Sequence, residues 1–184
     1  MKPYNSKIMK RLLTLIALAV ISTVLCAQTP KNVKYYFTEA SELNLIGKIL
    51  KDTPNPYHRV DTVKYKGFTK GENNQVRSSA GLAVLFKTNS SVISVLTEYG
   101  YMNKGVNTMG VSLRGYDLYI KKDGEWLYAA SKANSAGQED QNLVLIKDMD
   151  ETMKEYMLYL PIYSEEYSVK IGIQEGAVIE AIDS

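Results

Sequence analysis

The sequence predicts an all-β fold, a two-sheet jelly-roll-like β-sandwich preceded by a signal-peptide helix. Clusters of Gly, Asn and Ser divide the chain after residue 27 into short apolar segments at intervals of roughly ten residues, a rhythm typical of sandwiches. The same region shows no helical pattern longer than about two turns. Its length suits one domain, since domains cluster near ~100–150 residues. We therefore expect a single β-sandwich domain over residues 28–184.

Residues 1–27 have the pattern of a secretory signal peptide. Four cations in the first eleven residues precede an apolar run that is shorter than the ~20 residues of a membrane span. Cleavage after Ala27 would export the domain to the periplasm, the outer surface or the medium, with no membrane span left. The alternative, lipidation of Cys26, is disfavoured because Leu25 stands where lipoprotein signals carry a small residue.

The composition excludes several classes of protein. The signal peptide, residues 1–27, accounts for the excess of basic over acidic side chains. The remaining Lys residues are scattered among acidic residues, which disfavours nucleic-acid binding. One Cys excludes a disulfide framework and any Cys-rich metal site, and one His excludes a multi-His site. We expect no cofactor and no metal.

The elements follow in chain order. Residues 38–43 predict one helical turn with Thr38 as a possible N-cap, and Pro54-Asn55-Pro56 and residues 71–75 predict loops. Apolar runs predict strands at 81–86 and, rich in β-branched residues, at 91–97. Residues 115–121 form a strand with period-two alternation, and the Asp-Gly pair of residues 122–125 predicts a hairpin turn.

The second half of the chain has the same spacing of short strands. A return strand begins at Trp126, a loop covers residues 134–140, and shorter strand candidates lie at 142–146 and 177–179. Residues 156–160 and 81–86 are apolar nearly throughout, which predicts strands buried on both faces. The segment 169–173 has the cleanest alternation of apolar with small or polar residues.

The sequence contains few candidate reacting groups. The chain contains no Gly-x-Ser-x-Gly elbow, and His58 is the only candidate base; we expect its ring to fill a loop and hydrogen-bond locally. The acid pair Glu165-Glu166 and the acids of residues 148–151 are interpreted as solvated loop charges. Tyr is frequent, with 14 copies. It suits β-strands, and it also suits surfaces that contact sugars or other proteins.

Five ordered blocks resemble one family, the G-x-D-L-Y domain that precedes the catalytic domain of secreted SGNH/GDSL-type esterases of Bacteroides-like bacteria. The signature itself is Gly115-Tyr116-Asp117-Leu118-Tyr119. The other blocks are Tyr57-His58-Arg59-Val60, residues 79–88, Asp123-Gly124-Glu125-Trp126, and Leu158-Tyr159-Leu160-Pro161-Ile162-Tyr163 with the following Ile171-Gly172-Ile173.

The resemblance implies a β-sandwich accessory domain whose partner is an SGNH-type catalytic domain, normally C-terminal in the same chain. We recognise no Gly-x-Ser nucleophile block of that domain and no Asp-x-x-His pair. The nearest approach, Asn55-Pro56-Tyr57-His58, carries an amide where a carboxylate would orient the ring. The family resemblance therefore implies no catalytic residue in this chain.

The signature residues also have physical interpretations. We expect Gly115 to permit a close approach or a positive φ. Asp117, opposite Tyr116 and Leu118, is expected to lie on the outer face or to bond backbone groups at a sheet edge, with a structural hydrogen bond favoured over ligand contact. Trp126 is expected to close one end of the sandwich rather than to stack on a sugar. The segment around Leu158 is interpreted as core, with Pro161 ending its strand.

Three functions from different classes remain open. The first is the non-catalytic, exported accessory domain of an SGNH-type esterase. The second is a free-standing carbohydrate-binding module, for which the Tyr residues would supply stacking surfaces. The third, a small hydrolase in its own right, depends on His58 alone, and we expect no turnover from it.

Overall fold

The computed structural model describes residues 33–183, which form two antiparallel β-sheets. The predicted all-β sandwich is confirmed. The predicted signal peptide and Cys26 lie outside the described residues. Ten strands are present in this part of the chain: β1 (Tyr35–Glu39), β2 (Asn44–Ile46), β3 (Ala83–Thr88), β4 (Ile93–Met102), β5 (Gly115–Lys122), β6 (Glu125–Ala133), β7 (Leu143–Ile146), β8 (Lys154–Tyr159), β9 (Ser164–Gln174) and β10 (Ile179–Ala181).

Two short helices accompany the strands, α1 (Lys70–Val76) and α2 (Gly110–Arg114). One sheet has the strand order β1-β9-β4-β7, and the other has the order β10-β3-β8-β5-β6 with β2 also paired to β3. Because β3 and β4 follow each other in sequence but lie in different sheets, the chain crosses between the layers. No helix within residues 33–183 is both long enough and apolar enough to cross a membrane.

The core lies between the two sheets. Side chains from the six-stranded sheet, such as Phe86, Leu118 and Leu158, are fully buried together with Val169 and Ile171 of the four-stranded sheet. Alternation places every second side chain of a strand on the inner face, which is why the period-two segments form this core. Burying a large apolar side chain contributes about 1.5–3 kcal/mol.

The predicted hairpin between β5 and β6 is confirmed. Its two turn residues, Asp123 and Gly124, have φ angles of 53° and 87°. This pair of positive φ values is the pattern of a type I′ turn, whose twist matches that of the flanking strands. The Asp-Gly dipeptide is therefore enough to predict this hairpin turn from the sequence.

Three local predictions are wrong. Residues 71–75 form most of helix α1 instead of a loop, because the Thr69 side chain accepts from the Glu72 N–H while the Glu72 carboxylate accepts from the Thr69 N–H. Thr38 lies in β1, and the turn of 3-10 helix that follows, Ala40–Glu42, has no side-chain cap. Strand β8 is not buried on both faces, because Tyr159 is 38% exposed.

Candidate functional site

The signature segment forms the first five residues of β5, and its side chains divide between the two faces. Tyr116 and Leu118 are buried in the core, and the Tyr116 hydroxyl lies 2.6 Å from the Thr97 hydroxyl. Gly115 has an ordinary φ, but a Cβ there would lie 2.3 Å from the Val111 carbonyl oxygen. The close approach expected at Gly115 is therefore found, and the inward half of the signature serves folding.

The outward half of the signature contributes to a group of tyrosines, which we call the tyrosine face. The Tyr119 ring meets Tyr128 of β6 with centroids 6.0 Å apart and Tyr159 of β8 at 5.8 Å, both edge to face. Asp117 is exposed, as predicted, and pairs in register with Tyr159. Three aromatic rings and a carboxylate thus lie on the solvent side of the six-stranded sheet.

Trp126 lies at the start of β6, next to the turn. It is half-buried and stands outside the central core cluster. The Lys121 ammonium lies 5.5 Å from the centre of its ring and 2.9 Å from a Glu155 carboxylate oxygen. The surroundings of Trp126 are therefore a charged hairpin, and its expected role in closing the sandwich stays a prediction.

His58 contacts a residue that is distant in sequence. Its Nε2 lies 2.8 Å from Oε1 of Glu165, whose side chain is 3% exposed, without the alignment of a good hydrogen bond. Burial lowers the pKa of His58 more than Glu165 raises it, so the ring is neutral at pH 7. The expectation of a purely local partner for His58 is wrong.

Glu165 holds three segments together. Besides His58, its Oε1 lies 3.5 Å from Nε of Arg77, next to the end of α1, and its Oε2 accepts from the Tyr101 N–H of β4 at 3.1 Å. The prediction that Glu165-Glu166 would be solvated is wrong, since Glu166 is also fully buried. By contrast, Asp148 is 84% exposed and Asp150 67%, as predicted.

A β-bulge explains the burial of Glu166. The pairing of β4 with β9 shifts register after Glu98, so that Tyr99 pairs with Glu166 and Tyr167 is skipped. The shift reverses the alternation and places Glu166 on the inner side, where Ser164 donates to its Oε1 and its Oε2 has no partner. Burial raises the pKa of Glu166 to about 8, so the carboxyl is mostly protonated at neutral pH.

Arg59 and Pro161 have structural contacts. The Arg59 guanidinium donates to the Ser78 carbonyl at 2.9 Å and to the Gln75 carbonyl at 2.6 Å, next to the end of α1. Pro161 is buried after the end of β8, and its carbonyl accepts from the Ser79 hydroxyl at 2.7 Å. Arg59 thus joins two parts of the long connection between β2 and β3, and the bond to Pro161 fixes that connection to the segment after β8.

Among residues 33–183, the serine of the one Gly-x-Ser triplet and His58 are not brought together. One Gly-x-Ser triplet does occur, Gly110-Val111-Ser112, but it forms α2, and the carbonyl of Ser112 accepts from the N–H groups of Ile162 and Tyr163. His58 faces Glu165 instead. A nucleophile needs a base within hydrogen-bond reach, and none of the hydrogen bonds of residues 33–183 joins a serine hydroxyl to His58. Within the same residues, no group of three His, Cys, Asp or Glu side chains could hold a metal ion.

Exposed apolar side chains gather at the end of the sandwich where β5 and β9 begin. The two hydrogen bonds to Ser112 join α2 to the segment after β8. This junction exposes Met109 (72%), Val111 (55%), Ile162 (48%) and Tyr163 (43%), which we call the end patch. Exposed apolar side chains on neighbouring segments mark an interaction site more often than apolar residues scattered singly do. No sequence motif indicates the end patch, because its members come from separate segments.

Among solved structures, this chain is similar to a protein of Bacteroides ovatus described as a GDSL-like lipase. The identity is 35% and the TM-score 0.73 over 82% of this chain and 44% of that one. Salicylyl-acyltransferase SsfX3 of a tetracycline biosynthetic pathway has the same fold at 18% identity, with a TM-score of 0.56 over 82% and 42% of the two chains. The chain thus spans less than half the length of either protein.

No curated protein matches the chain. A family model does match, over residues 33–179, and its description is GxDLY, the N-terminus of SGNH-hydrolase-type esterases. The match includes the signature on β5 and all the other blocks that suggested the resemblance. The chain therefore belongs to the GxDLY family of N-terminal domains of SGNH-type esterases.

Proposed function

We propose that this domain is a non-catalytic accessory domain that docks on an SGNH-type catalytic domain. The family match carries the proposal, because the family is defined as the N-terminal part of such esterases. The two solved relatives support it, since more than half of each chain lies outside the region matched by this one. Domains joined in one chain commonly share an interface of about 600–1,500 Å².

The end patch is the surface that best fits this role. Its four apolar side chains are presented by two segments that hydrogen bonds hold together, so little ordering entropy is lost when a partner covers them. The contacts of Glu165 with His58 and Arg77 fix the start of β9, which follows the end patch in the chain. We therefore place the catalytic domain against Met109, Val111, Ile162 and Tyr163.

Titration with a catalytic domain tests the proposal. The α/β part of the Bacteroides ovatus relative, expressed separately, is added to the isotope-labelled domain, and amide shifts are followed by NMR. We expect the amides of α2 and residues 161–163 to shift on saturable binding. The Val111→Asp variant should weaken binding at least tenfold, because it buries an unpaired charge. Tyr128→Asp, on the tyrosine face, is the matched control.

Two outcomes contradict the docking proposal. One is the absence of any association, and the other is equal weakening by Val111→Asp and Tyr128→Asp. The proposal that the domain is non-catalytic is tested separately with 4-nitrophenyl acetate. We expect the domain alone to hydrolyse this ester only at the background rate. Turnover that disappears in His58→Ala would instead favour the small-hydrolase hypothesis.

A saccharide is a second candidate ligand, and the tyrosine face favours it. The rings of Tyr128 and Tyr159 stand at 80° and 73° to that of Tyr119, so they form an angled site rather than a flat platform. Asp117 could accept hydroxyl hydrogen bonds beside them. Calorimetric titration with plant and host glycans should show heat that Tyr159→Ala abolishes and Trp126→Ala leaves. Absence of heat with every glycan would reject this candidate.

A further inference from the structure

The connection between β2 and β3 contains a cavity that the proposed docking does not use. Its volume is about 380 Å³, and its lining is mostly apolar: Leu50, Val60, Val76 and Ile49, of which Ile49 is 93% exposed, with Gly47 and Arg59. Binding sites for small molecules commonly have volumes of about 300–1,000 Å³ and combine an apolar lining with a few polar groups. This cavity matches that description.

The segments next to the cavity are held in place by contacts of their own. Tyr57, next to the cavity residues, is fully buried, and its hydroxyl donates to Glu39 of β1. The Lys48 ammonium donates to the carbonyl of Pro56 at 2.7 Å across the loop. Gly47 has a φ of 83°, and a Cβ there would lie 2.1 Å from the Gly81 carbonyl oxygen, so only glycine permits this close packing. These contacts fix Gly47 and the segments next to Ile49 and Arg59, from which part of the lining comes.

Arg59 gives the cavity a positive charge without an acidic partner. Its Nε and Nη2 donate to neutral acceptors, the carbonyls of Gln75 and Ser78 and the Ser78 hydroxyl. In the described part of the chain, Arg77 and Arg114 lie 3.5 and 3.4 Å from a glutamate oxygen, whereas Arg59 forms no ion pair. The three hydrogen bonds orient the guanidinium and leave Nη1 uncommitted, which suits binding of a carboxylate.

We infer that this cavity binds an amphiphilic carboxylate, with the apolar chain among Leu50, Val60 and Val76 and the carboxylate on Arg59. An apolar cavity alone would accept any small apolar compound. The oriented, uncompensated guanidinium is what selects an anionic head group, and its uncommitted Nη1 can donate to a carboxylate oxygen. This site is independent of the end patch and of the docking proposal.

Octanoate, kept below its micelle concentration at pH 7, is the probe, and octanol is the matched compound without the charge. NMR titration of the protein should give saturable shifts in residues 47–60 and 76–78 with octanoate, and binding at least tenfold weaker with octanol. Arg59→Gln should remove this preference for the acid. Because Arg59 also supports α1, thermal unfolding of the variant is measured alongside.

A second variant keeps the test independent of Arg59. Val76→Phe fills the cavity and should abolish octanoate binding, whereas Val63→Phe, at an exposed valine of the same connection, should leave it unchanged. The inference is overturned if octanoate gives no saturable shifts, if octanol binds equally well, or if Val76→Phe binds like the unmodified protein.

Discussion

Burial of Glu166 makes the stability of the domain depend on pH. The pKa of this carboxyl is 4.5 in the unfolded chain and is raised to about 8 in the fold by burial. Between these values the folded state binds more protons than the unfolded state. The stabilisation is therefore complete below about pH 4.5 and is lost as the pH rises through 8.

We predict that Glu166→Gln removes this loss. The amide is uncharged at every pH and can still accept from the Ser164 hydroxyl. Urea unfolding between pH 5 and pH 9 should show the free energy of unfolding of the unmodified domain falling by up to about 1.4 kcal/mol per pH unit, and little slope in the variant. Glu125→Gln, at an exposed position, is the control. Equal slopes in all three proteins would refute the assignment.

His58 acts in the opposite direction at lower pH. Burial lowers its pKa below 6.5, so protonation is easier in the unfolded chain, and stability is lost as the pH falls below 6.5. The contact with Glu165 opposes this loss without cancelling it. Together, His58 and Glu166 narrow the pH range in which the end of the sandwich is most stable.

At the scale of elements, backbone conformation decides whether replacing a glycine by alanine stabilises or destabilises the domain, as two glycines show. Gly124 has a φ of 87° in the β5–β6 turn, a region that costs other residues about 1–2 kcal/mol. Gly71 lies in helix α1, and nothing lies within 4 Å of a Cβ built there. Alanine is favoured over glycine inside helices by about 0.5–1 kcal/mol.

We therefore predict opposite effects for one substitution at these two positions. Gly124→Ala should lower the free energy of unfolding by about 1–2 kcal/mol. Gly71→Ala should raise, by about 0.5 kcal/mol, either the free energy of unfolding or the free energy of local opening of α1 that hydrogen exchange measures. Urea unfolding and amide exchange measure the two effects. A stabilising Gly124→Ala would contradict the type I′ turn.

The strands could be predicted because each depends on the alternation of apolar and polar residues within its own segment. Segments 81–86, 115–121 and 169–173 all lie in or overlap observed strands, and the β5–β6 turn follows from Asp123-Gly124. Helix α1 was also within reach, since Thr69 and Glu72 have the spacing of a capping box. The Gly and Asn residues inside the helix predict the opposite, because they are typical of loops.

At the scale of the whole molecule, the surfaces are assembled from distant segments. The tyrosine face joins β5, β6 and β8, and the end patch joins α2 to the segment after β8. Such surfaces cannot be read from any one motif, since cross-strand neighbours depend on strand order and register. Export through the leader stays a prediction.

The amino-acid sequence by itself determined the strand pattern, the β5–β6 turn and the division of the signature between core and surface, because these depend on local alternation and on turn residues. Tertiary structure alone decided the burial of Glu165 and Glu166. A bulge reversed the alternation of β9 at Glu166, and His58 and Arg77 covered Glu165 from distant segments. Charge predicts exposure only when nothing else in the fold can cover or pair the group.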